Sequence, residues 1–175
     1  MMKDMDDFKL WVNASSTQLD RVRISFGEHL TVVQSGDFEK MSLSPGYMSD
    51  FSRTSAQLWV DIQFLYVSLN QLMTTLESSD VKEAVSDVEV GGELKFIVNT
   101  LRNIFEHQDE SRLMFEGSLE MKASSKSYSD HYPSKTPFSI SLDDNGFIIS
   151  GVLKVNEVQM VINKFEDKLI EVIDR

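Results

Sequence analysis

The chain has 175 residues and a mass of 20.0 kDa, which is enough for one domain with a sizeable core and short for two independent ones. Hydrophobic residues make up 41% and charged residues 26%, and no apolar run approaches the roughly 20 residues of a membrane span, so we expect neither wholesale disorder nor a membrane partner. The net charge of −11 repels polyanions and argues against nonspecific binding to duplex DNA.

The absence of cysteine and the composition of the N-terminal residues limit the cellular compartment and the kinds of site that we expect. No cysteine is present, which removes disulfides, cysteine nucleophiles and thiolate metal sites together. Residues 1–8 are acidic and lack the cationic and apolar regions of a secretory signal. We therefore expect a cytoplasmic protein.

The first predicted element is a long amphipathic helix. Its apolar residues recur at steps of three, four and seven: Phe8, Trp11, Val12, Leu19, Val22, Phe26, Leu30 and Val33. We expect this helix to stop at Gly36. From there to Asp50 the residues favour turns, and Pro45 lacks the amide hydrogen that a helix interior needs, so a loop is predicted.

A second long helix gives the clearest pattern in the chain. Its stripe is wholly leucine and isoleucine: Leu58, Ile62, Leu65, Leu69, Leu72 and Leu76. The side chains of Ser52, Thr54 and Ser55 precede the stripe, and any of them could accept hydrogen bonds from free first-turn amides. We therefore expect the helix to begin near these residues.

A short helix and a third long helix follow. Asp80 and Glu83 fit a variant of the capping box, which predicts a short helix that ends at Gly91 and Gly92. The third long helix carries an apolar stripe that begins after the two glycines: Leu94, Ile97, Val98, Leu101 and Phe105. The same period extends less cleanly as far as Leu119.

The last third of the chain combines a loop, a hairpin and a helix. Serine and proline crowd residues 124–137 and predict a loop. Apolar residues then alternate with serine, and the Asn145-Gly146 dipeptide tolerates positive φ, which predicts a β-hairpin. A final amphipathic helix completes the pattern with Val158, Val161, Ile162, Phe165, Leu169, Val172 and Ile173.

These elements predict one mainly α-helical domain over residues 1–175. Four long amphipathic helices must bury their stripes against one another, which gives an up-and-down helical bundle with an additional short helix. The Ser-rich loop and β-hairpin form an insertion at residues 123–153, before the last helix. An isolated hairpin is marginal in water, so we expect it to lean on the bundle or on a partner.

Most signatures of metal and cofactor sites are missing. The three histidines, His29, His107 and His131, lack metal-ligand spacing, and neither a phosphate-binding loop nor a dinucleotide-binding fingerprint occurs. The acidic stretch that begins at Asp143 lacks the alternating ligands of a calcium loop, so turn formation explains it better. We predict no metal and no cofactor, and a structural or exposed role for His29.

One motif on the third long helix bears on function. Arg102, Asn103 and His107 form the string R-N-x-x-x-H. Asn103 and His107 are four residues apart and lie on the same side of a helix, whereas Arg102 and His107 are about 140° apart at 100° per residue. One straight helix does not aim both groups at one atom, but two copies packed across a dyad could interleave them.

This motif, on a late helix of a small bundle, resembles the signature of the HEPN superfamily. The resemblance implies a homodimer whose paired motifs form a composite site, and in active members a metal-independent endoribonuclease. It also points to a toxin–antitoxin or phage-defence setting. The inserted hairpin and the acidic balance of charge depart from the usual compact form of the family.

RNA cleavage assigns a role to each motif residue. The 2′-hydroxyl must lose a proton and the leaving 5′-oxygen must gain one, and an imidazole with a pKa of about 6.5 suits both transfers, which we assign to His107. Arg102 would hold the phosphate with its forked, permanently charged guanidinium. Asn103 would orient His107 or the phosphate.

The Ser-rich segment adds a candidate RNA-binding region. Between Met121 and Leu142 the local charge is +2, in contrast to the rest of the chain. Lysines near stackable rings are typical of contacts with single-stranded RNA. We predict such contacts from Lys122, Lys126, Tyr128, His131 and Lys135.

A non-enzymatic interpretation remains beside the RNA hypothesis. Arg102 and Glu106 are four residues apart and can form an ordinary surface ion pair. The acidic surface then fits an interaction module, a helical bundle that binds a basic protein partner.

Overall fold

The chain forms a helical bundle with a small sheet before its last helix. The computed structural model describes residues 2–35, 45–106, 139–143 and 146–173, and within these ranges the mainly α-helical fold and the hairpin are confirmed. The helices are α1 (Met2–Gln34), α2 (Pro45–Thr75), α3 (Ser79–Ala84), α4 (Gly92–Glu106) and α5 (Val155–Ile173). The strands are β1 (Ile140–Asp143), β2 (Gly146–Ile149) and β3 (Leu153–Lys154), antiparallel in the order β1-β2-β3.

The core is built around the long pair of α1 and α2. Helix α4 packs on α2, helix α5 packs on α1, and the sheet packs against α5. One apolar cluster joins α1, α2, α4, the sheet and the first half of α5. A second cluster joins the start of α1 to the ends of α2 and α5, where the rings of Phe8 and Phe165 meet edge to face at 5.4 Å.

Helix α2 begins earlier than the sequence predicts. It starts at Pro45, so the prediction of a loop is wrong for residues 45–50, and residues 36–44 lie outside the described part of the chain. Proline is tolerated in the first turn because the amide hydrogens there have no partner within the helix. The sequence predicts that the helix begins near Ser52, Thr54 and Ser55, but these residues lie inside it. The Thr54 hydroxyl donates to the carbonyl of Asp50 at 2.9 Å.

The short helix α3 also differs from its prediction. Its N-cap residue is Ser78, so the capping box at Asp80 is wrong. The Ser78 hydroxyl donates to the carboxylate of Asp4 at 2.9 Å and ties the turn to α1. The helix ends at Ala84 rather than at the two glycines, and α4 begins at Gly92.

The hairpin turns where the Asn-Gly dipeptide predicts. Asp143 pairs with Gly146, whose φ of 122° is open to glycine and strained for other residues. A Cβ there would lie 2.7 Å from Nδ2 of Asn156, so any other residue would also have to displace that side chain. A third strand was not predicted: Ser150 (φ 56°) and Gly151 (φ 68°) turn the chain back, and β3 pairs with β2.

A buried hydrogen bond holds the sheet on the bundle. The hydroxyl groups of Tyr66 on α2 and Ser150 after β2 lie 2.9 Å apart, and neither side chain is exposed. The Ser150 amide donates to the carbonyl of Ser139, so the left-handed residue is held on both sides. The hairpin therefore leans on the bundle, as its small size requires.

A buried carboxylate joins α1 to α2. Asp61 is 2% exposed, and its carboxylate accepts hydrogen bonds from Ser25, from Gln57 at 3.1 Å and from Gln18 at 3.3 Å. The guanidinium of Arg21 completes the set at 3.4 Å. Each carboxylate oxygen of Asp61 thus has two partners. Three of the four partners lie on α1, namely Gln18, Arg21 and Ser25.

The partners of Asp61 stabilise its charged form. Burial raises the pKa of the Asp61 carboxyl, but the hydrogen bonds from Ser25 and Gln57 and the charge of Arg21 lower it by more. The pKa therefore lies below its ordinary value of 3.8, and the lowered pKa stabilises the folded protein wherever the carboxyl is ionised.

We expect Asp61→Asn to lower the free energy of unfolding by about 2 kcal/mol at pH 7, because an amide nitrogen cannot accept the hydrogen bonds that a carboxylate oxygen accepts. The difference from the wild type should be fully present above the ordinary pKa of 3.8 and should shrink as the pH falls below it, since the wild-type carboxyl then protonates too. Urea denaturation across this range measures it.

Asp20→Asn is the matched control, since Asp20 lies on α1 with a side chain that is 69% exposed. It should change the free energy of unfolding by less than about 0.5 kcal/mol. Equal losses in the two variants would remove the special position of Asp61.

Candidate functional site

The motif lies on α4, a helix that buries one face and exposes the other. Its buried residues follow the predicted stripe and extend it: Ile97, Val98, Thr100, Leu101, Ile104 and Phe105. Phe105 contacts the rings of Trp59 and Tyr66 on α2, at centroid distances of 5.9 and 5.3 Å. This packing fixes the rotation of the helix and leaves Arg102 and Asn103 at partly exposed positions.

Arg102 is paired with a neighbour on its own helix. Its Nη2 lies 2.6 Å from Oε1 of Glu106, and the two side chains are 31% and 38% exposed. Such a pair contributes about 0.3 kcal/mol when the cation precedes the anion along the helix. The pair is therefore weak enough for a stronger anion to replace Glu106.

The remaining predicted site residues lie outside the described part of the chain. These residues are His107, Lys122, Lys126, Tyr128, His131 and Lys135. The described part of the candidate site is thus Arg102 and Asn103, with the surface that adjoins them.

An open polar cleft between α2 and α4 adjoins the motif. It has a volume of about 450 Å³ and is lined by Asn70, Met73, Thr74, Glu77, Gly92, Lys95, Phe96 and Asn99. Asn99 precedes Arg102 by three residues and Asn103 by four, so all three lie on neighbouring turns of one helix face. The lining of the cleft thus ends at Asn99, about one turn of α4 before the motif.

The cations beside this cleft already have acidic partners. The Lys95 ammonium donates to the carboxylate of Glu77 across the cleft, and this hydrogen bond and the positive charge lower the pKa of Glu77. Helix α4 carries two cations, Lys95 and Arg102, and both are paired with glutamates. The described surface is thus polar and close to neutral, with no local excess of positive charge.

Part of this polar surface can be predicted from the sequence. Lys95, Asn99, Arg102 and Glu106 are spaced by four, three and four residues, which is the period of a polar helix face opposite the apolar stripe. Asn70 and Thr74 carry no such signal, because only the packing of α2 against α4 brings them to the cleft.

Within the described residues, no three or more histidine, aspartate or glutamate side chains converge as they would around a metal ion. No described helix combines the length and the apolar character that crossing a membrane requires.

His29 occupies a structural position between α1 and α2. Its Nδ1 lies 3.0 Å from the hydroxyl of Thr54, and its ring lies 5.0 Å from the ring of Phe51. Because the Thr54 hydroxyl donates its proton to the Asp50 carbonyl, it accepts from His29, and Nδ1 carries the hydrogen. Burial lowers the pKa of His29.

No family model, no curated protein and no solved structure matches this chain. The resemblance to the HEPN superfamily therefore stays a prediction drawn from the motif and the bundle.

We expect His29 to make the fold less stable in mild acid. Its lowered pKa means that the unfolded chain binds the proton more readily, so stability is full above the ordinary pKa of 6.5 and falls as the pH drops below it. The variant His29→Asn keeps a donor for Thr54 but does not titrate. Melting temperatures between about pH 8 and pH 5 should fall more for the wild type, and parallel curves would contradict the assignment.

Proposed function

We propose that the chain acts on RNA as a HEPN-like, metal-independent endoribonuclease that works as a homodimer. One observation supports the proposal above the others: Arg102 and Asn103 lie partly exposed on the polar face of α4, about one turn beyond an open cleft. A cytoplasmic toxin–antitoxin or phage-defence setting belongs to the same proposal.

Arg102 would bind the scissile phosphate. To do so it must leave Glu106, which costs about 0.3 kcal/mol for an exposed pair of this geometry. A forked, charge-assisted pair with a phosphate is about twice as strong as a neutral hydrogen bond and stabilises the negative charge that develops there. The exchange of partners therefore favours the phosphate.

His107 would transfer protons to and from the reacting oxygens. It follows Arg102 by five residues, so the two groups do not converge on one side of a straight helix. In the proposed dimer Arg102 of one subunit acts with His107 of the partner subunit, and Asn103 orients the imidazole or the phosphate. Each composite site then needs both copies.

The Ser-rich segment between Met121 and Leu142 has a local charge of +2, which would offset the repulsion between RNA and the acidic protein. Its lysines and aromatic rings would hold single-stranded RNA by charge and by stacking, while the acidic faces stay away from the substrate. The residues proposed for this contact are Lys122, Lys126, Tyr128, His131 and Lys135.

A second function, an acidic interaction module that binds a basic protein partner, is favoured by a separate observation. Both cations of α4 are held by glutamates, so the described surface around the motif offers no free positive charge. In that case Arg102 and Glu106 form a structural pair. The two functions differ in whether purified protein cleaves RNA.

We expect purified protein to cleave labelled single-stranded RNA in EDTA. Arg102→Ala and His107→Ala should each lower the rate about 100-fold or more, because phosphate stabilisation and proton transfer each contribute on that scale. Gel analysis of the products measures the rate. Cleavage that is equal in all three proteins, or absent from all three, would contradict the catalytic assignment of Arg102 and His107.

We further expect Glu106→Gln to strengthen RNA binding several-fold, because it releases Arg102 and removes one negative charge. Glu93→Gln is the control, since Glu93 lies exposed in the first turn of the same helix and its loss changes the net charge equally. Fluorescence anisotropy with a short RNA compares the two variants. An equal gain from both would mean that the release of Arg102 plays no part.

A further inference from the structure

The cleft between α2 and α4 is lined by two side-chain amides whose hydrogen-bonding groups are unused. Asn70 on α2 is half-buried, Asn99 on α4 is exposed, and both line the cleft. Neither side-chain amide has a hydrogen-bond partner among the described residues, although the backbone carbonyl of Asn70 accepts from the Thr74 hydroxyl at 2.9 Å. Polar groups that are partly removed from water are normally hydrogen-bonded, so these amides favour a ligand in the cleft that satisfies them.

The other lining residues restrict the shape and the charge of such a ligand. Met73 is buried and Phe96 is half-buried, so part of the cleft wall is apolar. Lys95 and Glu77 pair across the cleft, and their opposite charges cancel. The volume of about 450 Å³ lies in the range of small-molecule sites. These properties fit a flat, uncharged group that has an apolar face and carries donors and acceptors along its edge.

A nucleobase has this combination of properties. Its flat face packs on apolar and aromatic side chains, and its edges carry hydrogen-bonding groups that proteins recognise in unpaired bases. The amide of asparagine presents a donor beside an acceptor, which matches adenine, where the amino group at N6 lies beside the acceptor N7. Guanine has two acceptors there and pairs best with a cation, but Lys95 is already held by Glu77.

We propose that the cleft binds an adenine base of the RNA whose phosphate Arg102 would hold. Asn99 precedes Arg102 by three residues, which is about 5 Å along the axis of α4. A stacked strand advances about 3.4 Å per nucleotide, so a base in the cleft lies within one or two nucleotides of that phosphate. RNA as the source of the base rests on the proposed function, whereas the match to adenine rests on the lining of the cleft.

The first test measures the binding of free nucleosides, which requires neither Arg102 nor cleavage. We expect adenosine to bind about 5-fold or more tightly than guanosine, because one matched amide contact discriminates between bases on that scale. Asn70→Ala and Asn99→Ala should each weaken adenosine binding about 5-fold or more. Asn13→Ala is the control, since Asn13 is exposed on α1, and it should change nothing. NMR titrations give the affinities and show that each variant is folded.

Asn99→Asp tests the chemistry of the contact with little change of shape. A carboxylate accepts hydrogen bonds but donates none, so it loses N7 of adenine and suits the amino group of cytosine. We expect the ratio of adenosine affinity to cytidine affinity to fall about 5-fold or more. An unchanged ratio in the folded variant would overturn the adenine site, because a merely structural role of Asn99 affects both nucleosides equally.

A second test distinguishes a base within RNA from a free nucleoside. Oligouridines with methylated 2′-hydroxyl groups and one central adenine or guanine resist the proposed cleavage, and fluorescence anisotropy compares their affinities. The wild type should prefer the adenine probe about 5-fold, and Asn99→Ala should abolish the preference. Arg102→Ala should weaken both probes equally, because a phosphate contact carries no base information. Adenosine binding without a preference between the RNA probes would overturn RNA as the source of the base.

The failure of this inference differs from the failure of the proposed ribonuclease. RNA cleavage by a protein whose base preference ignores Asn70 and Asn99 would overturn the adenine site and leave the enzyme. Adenine binding that depends on these two residues, in a protein that does not cleave RNA, would overturn the enzyme and leave the site.

Discussion

The buried carboxylate of Asp61 is the constraint on which the arrangement of the bundle depends. An ionised group that is 2% exposed must have its lone pairs satisfied, since an unpaired buried charge is strongly destabilising. Gln18, Ser25 and Arg21 supply these partners from successive turns of α1. A slide of α1 along α2 by one turn would remove them, whereas apolar contacts are not directional and would tolerate it better. The carboxylate therefore selects one register of the long helix pair.

The other elements pack on α1 and α2 in this fixed register. Helix α4 packs on α2 through Phe105, and the sheet is held on α2 by the hydrogen bond between Tyr66 and Ser150. The cleft beside Asn99 lies where α4 meets the end of α2. The candidate site thus depends on how α4 packs on α2.

The candidate site combines a motif that we propose acts on RNA with a surface that is close to neutral in charge. Arg102 is at once the proposed phosphate ligand and the partner of Glu106, and the small energy of an exposed ion pair makes the two roles compatible. The wider charge of −11 works against RNA, so activity depends on a local supply of positive charge. The interaction module needs no such supply, and this is the physical difference between the two functions.

The sequence by itself determined the helices, the hairpin and the motif, because helical periodicity and the Asn145-Gly146 turn are local properties. It misplaced the start of α2, since a first turn tolerates Pro45, and the cap of α3, where the Ser78 hydroxyl binds Asp4 of α1 instead of capping its own helix. Only the tertiary structure assigned the partners of Asp61, the turn at Ser150 and the α2 side of the cleft. Those features join residues far apart in the chain, and their signals are ordinary polar residues whose meaning depends on what packing brings beside them.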